Sequence, residues 1–251
     1  MRIVFMGTPY FAVPSLKRLI KDGHHVSAVV TLPDRKKGRG RKKRSTPVKN
    51  AAEKLGLPLL LYEDFAGNEI LTALRGYNAE LFVVVGFRKL PEKVFTIPAK
   101  GTVNLHASLL PNYREAAPIQ WALINGEKET GVTTFFINKK IDTGDILMKK
   151  KVPIEKGDTA GELHDKLAEA GADCLSATVA GLEAGTLKPV PQTGTPTRAP
   201  RIKPSHTFID WNRSAVEITR QIHALSPRPG CCAMLRDKRI KFFRAEPADL
   251  A

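Results

Sequence analysis

Five short, nearly unbroken apolar runs punctuate the first half of the chain, at residues 3–6, 26–31, 59–61, 81–85 and 102–105. None alternates between apolar and polar positions, so each reads as a strand covered on both faces, as in a mostly parallel sheet. Between them the period changes. Leu16, Leu19 and Ile20 share one helical face over residues 14–22, with Pro14 in the first turn and Gly23 as terminator. Residues 47–55, closed by Gly56, and a segment carrying Ile70, Leu71 and Leu74, closed by Gly76, read as two further helices. Strand, helix and strand at this spacing predict an open α/β sheet.

Further along, strand-like runs at 131–137 and 145–152 flank a turn at Asp142-Thr143-Gly144-Asp145. Thr159 followed three residues later by Glu162 predicts a capping box. Leu163, Leu167, Ala170, Cys174, Thr178 and Leu182 then keep helical spacing up to Gly185, which makes this the longest helix, with Cys174 a packed small residue on its stripe. Composition shifts near Leu187. Pro189, Pro191, Pro196, Pro200 and Pro204 fall in a stretch with little periodicity, so residues 188–204 read as an extended linker between a unit at 1–187 and a small one at 205–251. In the second unit, residues 215–225 suggest a helix, and 232–235 with 240–243 a hairpin turned at Asp237-Lys238.

Charge adds a partner to this picture. Forty Lys and Arg against 25 Asp and Glu give the 251-residue chain a net charge of +15, within an ordinary globular composition of 42% hydrophobic residues. Eight of those cations fall within ten residues: Arg35, Lys36, Lys37, Arg39, Arg41, Lys42, Lys43 and Arg44, broken only by Gly38 and Gly40. The run lies between a strand and a helix, so it reads as a loop at the carboxyl edge of the sheet, where ligands of open α/β folds bind. Cations packed so densely repel one another, and a polyphosphate relieves that by counterion release, so nucleic acid is the expected partner. The three cysteines are odd in number and lack metal-ligand spacing, which points to reduced thiols in a cytoplasmic protein. The amino-terminal apolar run is too short for a signal peptide, and no stretch approaches the ~18 apolar residues of a membrane span. Secreted, membrane-bound and disulfide-scaffold classes are therefore not expected.

The candidate chemistry lies at the end of the fifth strand. Alternation along residues 102–106 puts Asn104 and His106 on the same face, and Asp142 follows in its tight turn. An amide donor, an imidazole and a carboxylate are the equipment for stabilising an oxyanion and moving a proton during acyl transfer. No serine or cysteine stands nearby in a nucleophile elbow, so an external amine is the expected attacker. No metal-ligand spacing is present, and Gly7-Thr8-Pro9 lacks the full glycine fingerprint of dinucleotide sites.

These same residues carry a resemblance. Met6-Gly7-Thr8-Pro9, Gly38-Arg39-Gly40, Asn104-Leu105-His106-Ala107-Ser108-Leu109-Leu110-Pro111, Arg114, Ala116-Ala117-Pro118-Ile119-Gln120 and Ile141-Asp142-Thr143-Gly144-Asp145 are similar in order and spacing to the methionyl-tRNA formyltransferase family. Asp158-Thr159-Ala160-Gly161, Ile209-Asp210-Trp211 and Pro227-Arg228-Pro229-Gly230 extend the likeness over nearly the whole chain. The resemblance implies a Rossmann-like formyltransferase domain followed by a carboxy-terminal β-barrel of the OB type, here truncated. It implies formyl transfer from 10-formyltetrahydrofolate, as cosubstrate and without a metal, to the α-amine of initiator methionyl-tRNA by a monomer. In the family pattern Asn104 and His106 polarise the formyl oxygen, while Asp142 holds the histidine and helps remove the amine proton. Val85, Gly86, Phe87, Leu90 and the run Ser108, Leu109, Leu110 and Pro111 would contact folate. The eight clustered cations and Arg114 would contact tRNA. Two positions depart from the pattern: Glu115 stands where the family usually has glycine, and Gly86-Phe87-Arg88 replaces the commoner Ala-Tyr-Gly. The competing expectations are a formyltransferase for a small amine, such as a sugar nucleotide or glycinamide ribonucleotide, and a non-catalytic RNA-binding remnant.

Overall fold

The computed structural model describes residues 1–37, 42–65 and 67–248. Its strands are β1 (Arg2–Gly7), β2 (His25–Thr31), a short pair β3 (Arg35–Lys37) and β4 (Lys42–Arg44), β5 (Leu59–Leu61), β6 (Leu81–Val85), β7 (Thr102–His106), β8 (Glu129–Phe136) and β9 (Ile146–Pro153). Seven of them form one sheet in the order β5-β2-β1-β6-β7-β8-β9. From β5 to β7 neighbours run parallel; β8 and β9 add an antiparallel edge. The continuous apolar runs have a simple cause. Ile3, Phe5, Leu81, Val83, Val103 and Leu105 point into one core with Leu16, Leu19, Leu163, Leu167 and Val179, whereas Val4, Met6, Phe82 and Val84 point into another with Ile70, Leu74 and Val94. The first core is roofed by α1 (Ala12–Lys21), α2 (Pro47–Lys54) and α6 (Ala160–Glu183), the second by α3 (Asn68–Gly76) and the single turn α4 (Glu92–Phe95). Each fully buried Leu, Ile or Phe contributes ~1.5–3 kcal/mol relative to exposure, so most central strand positions are apolar, and the buried Thr31, Thr102, Thr133 and Thr134 are tolerated because their hydroxyls are hydrogen-bonded.

Helix α6 begins as its capping box requires: the Glu162 amide donates to Thr159 Oγ1 at 3.3 Å and the Thr159 amide donates to Glu162 Oε2 at 2.9 Å. Cys174 is 2% exposed, and burial pushes its thiol up to about 11, as befits a packing residue. Helix α5 (Pro118–Ile124) follows the loop after β7 and packs against α7 (Ala215–Ala224) of the carboxy-terminal segment. There Ile209, Ile222, Leu225 and Cys231 form a small separate core beside the hairpin β10 (Cys231–Leu235) and β11 (Lys238–Phe242), turned at Arg236-Asp237. Two strands do not close a barrel, so among the described residues the expected OB-type barrel is represented by one hairpin.

Two expectations change. Part of the basic run is a hairpin: Arg35, Lys36 and Lys37 pair antiparallel with Arg44, Lys43 and Lys42, and residues 38–41 lie outside the described residues. The proline-rich stretch is no free tether. Val190 and Ile146 exchange both main-chain hydrogen bonds at 2.8 Å, Arg114 pairs with Arg198, and Trp121 Nε1 donates to the Pro200 carbonyl at 2.7 Å. Extended backbone laid on a protein surface needs partners for its amides and carbonyls, and here the sheet edge and the loop after β7 supply them. Among the described residues no helix is long and apolar enough to cross a membrane.

Candidate active site

A cleft of about 890 Å³ opens beyond the carboxyl ends of β1, β6 and β7, where strand order reverses across the sheet. Its walls are Pro9 after β1, Val84 and the loop from Gly86 to Leu90 after β6, Asn104 and His106 on β7, and Phe135, Ile137 and Asp142 from β8 and the turn that follows. Gly86 has φ +57°, and a Cβ there would meet Pro9 Cγ at 2.5 Å, so this narrow point of the cleft requires glycine.

Asn104 pairs in register with Val84 on one side and Phe135 on the other, and among the described residues its amide has no hydrogen-bond partner. His106 is 8% exposed and held by a neighbour the sequence did not single out. Its Nε2 lies 2.8 Å from the Tyr113 carbonyl, which only accepts, so this partner assigns the proton to Nε2. That leaves Nδ1 facing Asp142 Oδ2 at 3.8 Å, too far for a hydrogen bond but close enough for an ion pair once the ring is charged. The expectation that Asp142 holds the histidine is thus modified: Tyr113 holds it, and Asp142 faces its open nitrogen. Tyr113 is itself anchored. Its hydroxyl donates to Glu127 Oε1 at 2.5 Å, and burial together with that carboxylate pushes the phenol up to about 12.

Asp142 has φ +52°, and its Oδ2 accepts from the Glu115 amide at 2.9 Å. Glu115 in turn has φ +93°, the left-handed region where the family's glycine would be unstrained, and its carboxylate accepts from Arg198 Nε at 2.5 Å. That pair answers the charge that a bare carboxylate would otherwise show to a phosphate chain.

The remaining sequence expectations divide. Gly86, Phe87 and Leu90 line the cleft; Val85 is fully buried and points into the α1/α6 core instead, while Val84 takes the wall. Ser108, Leu109, Leu110 and Pro111 do not line it. Ser108 and Leu110 are fully buried, the Ser108 hydroxyl donates to the Asn112 carbonyl at 2.5 Å, and Thr133 Oγ1 pins the turn from beneath. These bonds fix the course of the chain between His106 and Tyr113. Arg114, half-buried, donates to Gln192 Oε1 at 2.7 Å, and its Nε is buried. Arg44 is exposed, and Arg39 and Arg41 lie outside the described residues. Sequence reasoning missed Tyr113, Gln192, Arg198 and Arg201. The first acts through its backbone, and the others sit in a run with no periodicity to mark them.

The sequence profile described as formyl transferase matches residues 1–179, and that described as formyl transferase, C-terminal domain, matches residues 201–251. The chain belongs to the formyl transferase family and is an enzyme of formyl transfer. It is 49% identical over 249 residues to the methionyl-tRNA formyltransferase of Caldanaerobacter subterraneus subsp. tengcongensis, spanning 98% of this chain and 81% of that protein. To the methionyl-tRNA formyltransferase of Pelotomaculum thermopropionicum it is 46% identical over 246 residues, with 98% and 79% covered. Among solved structures, the sugar 3N-formyl transferase WlaRD, crystallised with dTDP and 5-N-formyl-THF, superposes with a TM-score of 0.73 at 20% identity over 97% of this chain and 85% of that one. At that identity the likeness concerns the fold.

Proposed function

We propose that the chain transfers the formyl group of 10-formyltetrahydrofolate to the α-amine of methionine carried by initiator tRNA, for translation initiation; methionyl-tRNA is the substrate named in its relatives. The observation that carries the reading is the convergence of Asn104, His106 and Asp142 at the end of a cleft whose walls suit a flat heteroaromatic ring: Phe87, Leu90, Phe135 and Ile137 offer apolar faces, and Gly86 leaves the floor open. When bound, the folate supplies the formyl carbon and a leaving nitrogen. Asn104 donates from its amide to the formyl oxygen as charge develops there, a contact of the kind worth ~2.7–4 kcal/mol. His106, with Nε2 committed to Tyr113, accepts the amine proton at Nδ1, and Asp142 stabilises the resulting imidazolium across 3.8 Å. His106 then hands that proton to the departing nitrogen. One carbon–nitrogen bond forms, one breaks, and one proton crosses between the two nitrogens. Residues 1–187 would hold this chemistry, and the basic hairpin with residues 205–251 would hold the acceptor arm, the chain acting as a monomer.

The test is formylation of charged initiator tRNA with labelled donor. His106→Ala should lower the rate by ~10²–10⁴, the scale of a general acid–base group, while tRNA affinity stays within about twofold of the parent. Activity within a few-fold of the parent would make His106 structural. A parent chain that formylates an amino-sugar nucleotide or glycinamide ribonucleotide but not methionyl-tRNA would overturn the substrate assignment.

A further inference from the structure

The turn that carries Asp142 has a support that arrives from far along the chain. Gln192 lies in the proline-rich stretch, part-buried, fifty residues beyond Asp142 in sequence. Its Nε2 donates to the Asp142 carbonyl at 3.0 Å and to the Gly144 carbonyl at 2.8 Å. A side-chain amide nitrogen has two hydrogens, and both are spent on this one turn. Its Oε1 accepts from the Arg114 guanidinium at 2.7 Å. Asp142 meanwhile occupies left-handed backbone at φ +52°, which a non-glycine residue keeps only when its surroundings hold it there. The turn is also tight against the sheet: a Cβ on Gly144 would fall 1.6 Å from the Phe136 carbonyl oxygen. Residues 142–144 therefore have a floor in β8 and a bracket in Gln192.

We propose that Gln192 is the positioning residue for Asp142, aiming its carboxylate at His106 Nδ1. This rests on the reading of Asp142 as part of the proton-transfer pair. The same linker fixes the other half of that pair. Thr197 and Ala199 bond the main chain of Arg114, and Thr197 Oγ1 accepts from the Tyr113 amide at 2.8 Å, which sets the carbonyl that orients His106 and the amide of Glu115 that meets Asp142. Arg114 joins the two halves, because its backbone belongs to the histidine side and its guanidinium holds Gln192. The segment leading to the carboxy-terminal module thus supports both members of the catalytic pair at once.

Gln192→Glu separates positioning from packing. The replacement keeps the volume and the acceptor for Arg114 but offers no hydrogen to either carbonyl. Gln192→Met, neutral and of similar length, controls for the added charge. Both should lower kcat for formylation of methionyl-tRNA by ~10–100-fold, the scale of a misaimed reacting group, with KM for tRNA and for the folate donor within twofold and the melting temperature within a few degrees. The shape of the pH–rate profile should change as well, since a carboxylate no longer aimed at Nδ1 alters how the pair titrates, whereas a merely destabilised enzyme would lose amplitude without a change of shape. The deciding arm is the double variant. On an Asp142→Asn background, Gln192→Glu should cost nothing more. If Asp142→Asn alone leaves kcat unchanged, the reading of the catalytic pair fails. If Asp142→Asn is inactive but Gln192→Glu and Gln192→Met are both fully active, that reading stands and the positioning role falls. An equal loss from Gln192→Glu in both backgrounds places its effect elsewhere, and melting of both variants far below the parent makes Gln192 a residue of the fold.

Discussion

Glu115 concentrates several constraints in one residue. Its amide must point at Asp142, which the backbone achieves at φ +93°, and its side chain must then find a partner, which it does in Arg198. Left-handed strain of this kind costs ~1–3 kcal/mol for a residue with a Cβ. Glycine would remove it, at a cost of ~0.5–1 kcal/mol in unfolded-chain entropy. The lost ion pair contributes little, because Arg198 is 80% exposed and pairs so open to water are worth ~0–1 kcal/mol. Glu115→Gly should therefore stabilise the protein by ~0.5–1 kcal/mol, raising the melting temperature by about 2 °C for a chain of this size. A fall in the melting temperature would mean that the bond to Arg198 outweighs the strain. The missing glycine was legible only through the family resemblance, and the backbone at φ +93° gives the physical reason the pattern holds glycine there. Tyr113 was not, since a carbonyl that orients a histidine is present in every residue. Nor was Gln192: an amide in a proline-rich run has no period and no neighbouring motif to set it apart.

Elements were legible in proportion to how many positions they commit. Strands β1, β2, β6 and β7 were, because both faces are largely buried and their central positions are mostly apolar; α6 was, because 24 residues repeat one stripe behind a capping box. Helices α4 and α5, of 4 and 7 residues, are too short to display a 3.6-residue period. The β3–β4 pairing carries cations only, so nothing in its pattern separated it from a loop. The cap of α6 makes a prediction of its own. Glu162 accepts hydrogen bonds from the Thr159 amide and hydroxyl and pairs with Arg244 at 2.5 Å; chiefly the Thr159 amide, then these other groups, bring its carboxyl down from 4.5 to about 2. A carboxyl lowered on folding stabilises the native state above its unfolded value and loses that contribution as pH falls through its folded one. The window here runs from about 4.5 down to about 2. Glu162 is nearly half exposed, so after solvent screening its charge contributes ~1 kcal/mol. Glu162→Gln keeps an acceptor for the cap but does not titrate. Denaturant unfolding at pH 7 should show the variant less stable by about that amount, and the gap should close toward pH 2. Curves that stay parallel across the window would show that the charge is irrelevant to the cap.

At the scale of the molecule, charge and architecture point to the same edge. Thr31 ends β2 beside the carboxyl ends that form the cleft, and the hairpin strands that follow carry six of the chain's forty cations, with Arg39 and Arg41 between them in sequence and outside the described residues. The carboxy-terminal segment, with ten Lys or Arg against five Asp or Glu over residues 201–251, is joined to the rest of the chain through the linker and through α5 against α7. An RNA lying across both would release counterions from each, and each phosphate neutralised contributes ~0.7–0.9 to the slope of log affinity against log salt. Arg39→Ala, Arg41→Ala, Lys42→Ala and Lys43→Ala combined should therefore flatten that slope by up to ~3 units and weaken tRNA binding most at low salt. The hairpin stands outside the seven-stranded sheet, so each change should move stability by no more than ~0.5 kcal/mol, with relief of like-charge repulsion acting in the stabilising direction. Donor binding, which the proposed site puts on walls formed after β6 and β8, should be unchanged. The measurement is tRNA affinity at four or five salt concentrations, parent beside variant, with donor affinity as the control. Parallel salt lines and equal affinities would leave the hairpin without a role in tRNA binding and put the whole of it on the carboxy-terminal segment. A parallel loss of donor affinity would instead place the hairpin's effect on the cleft itself.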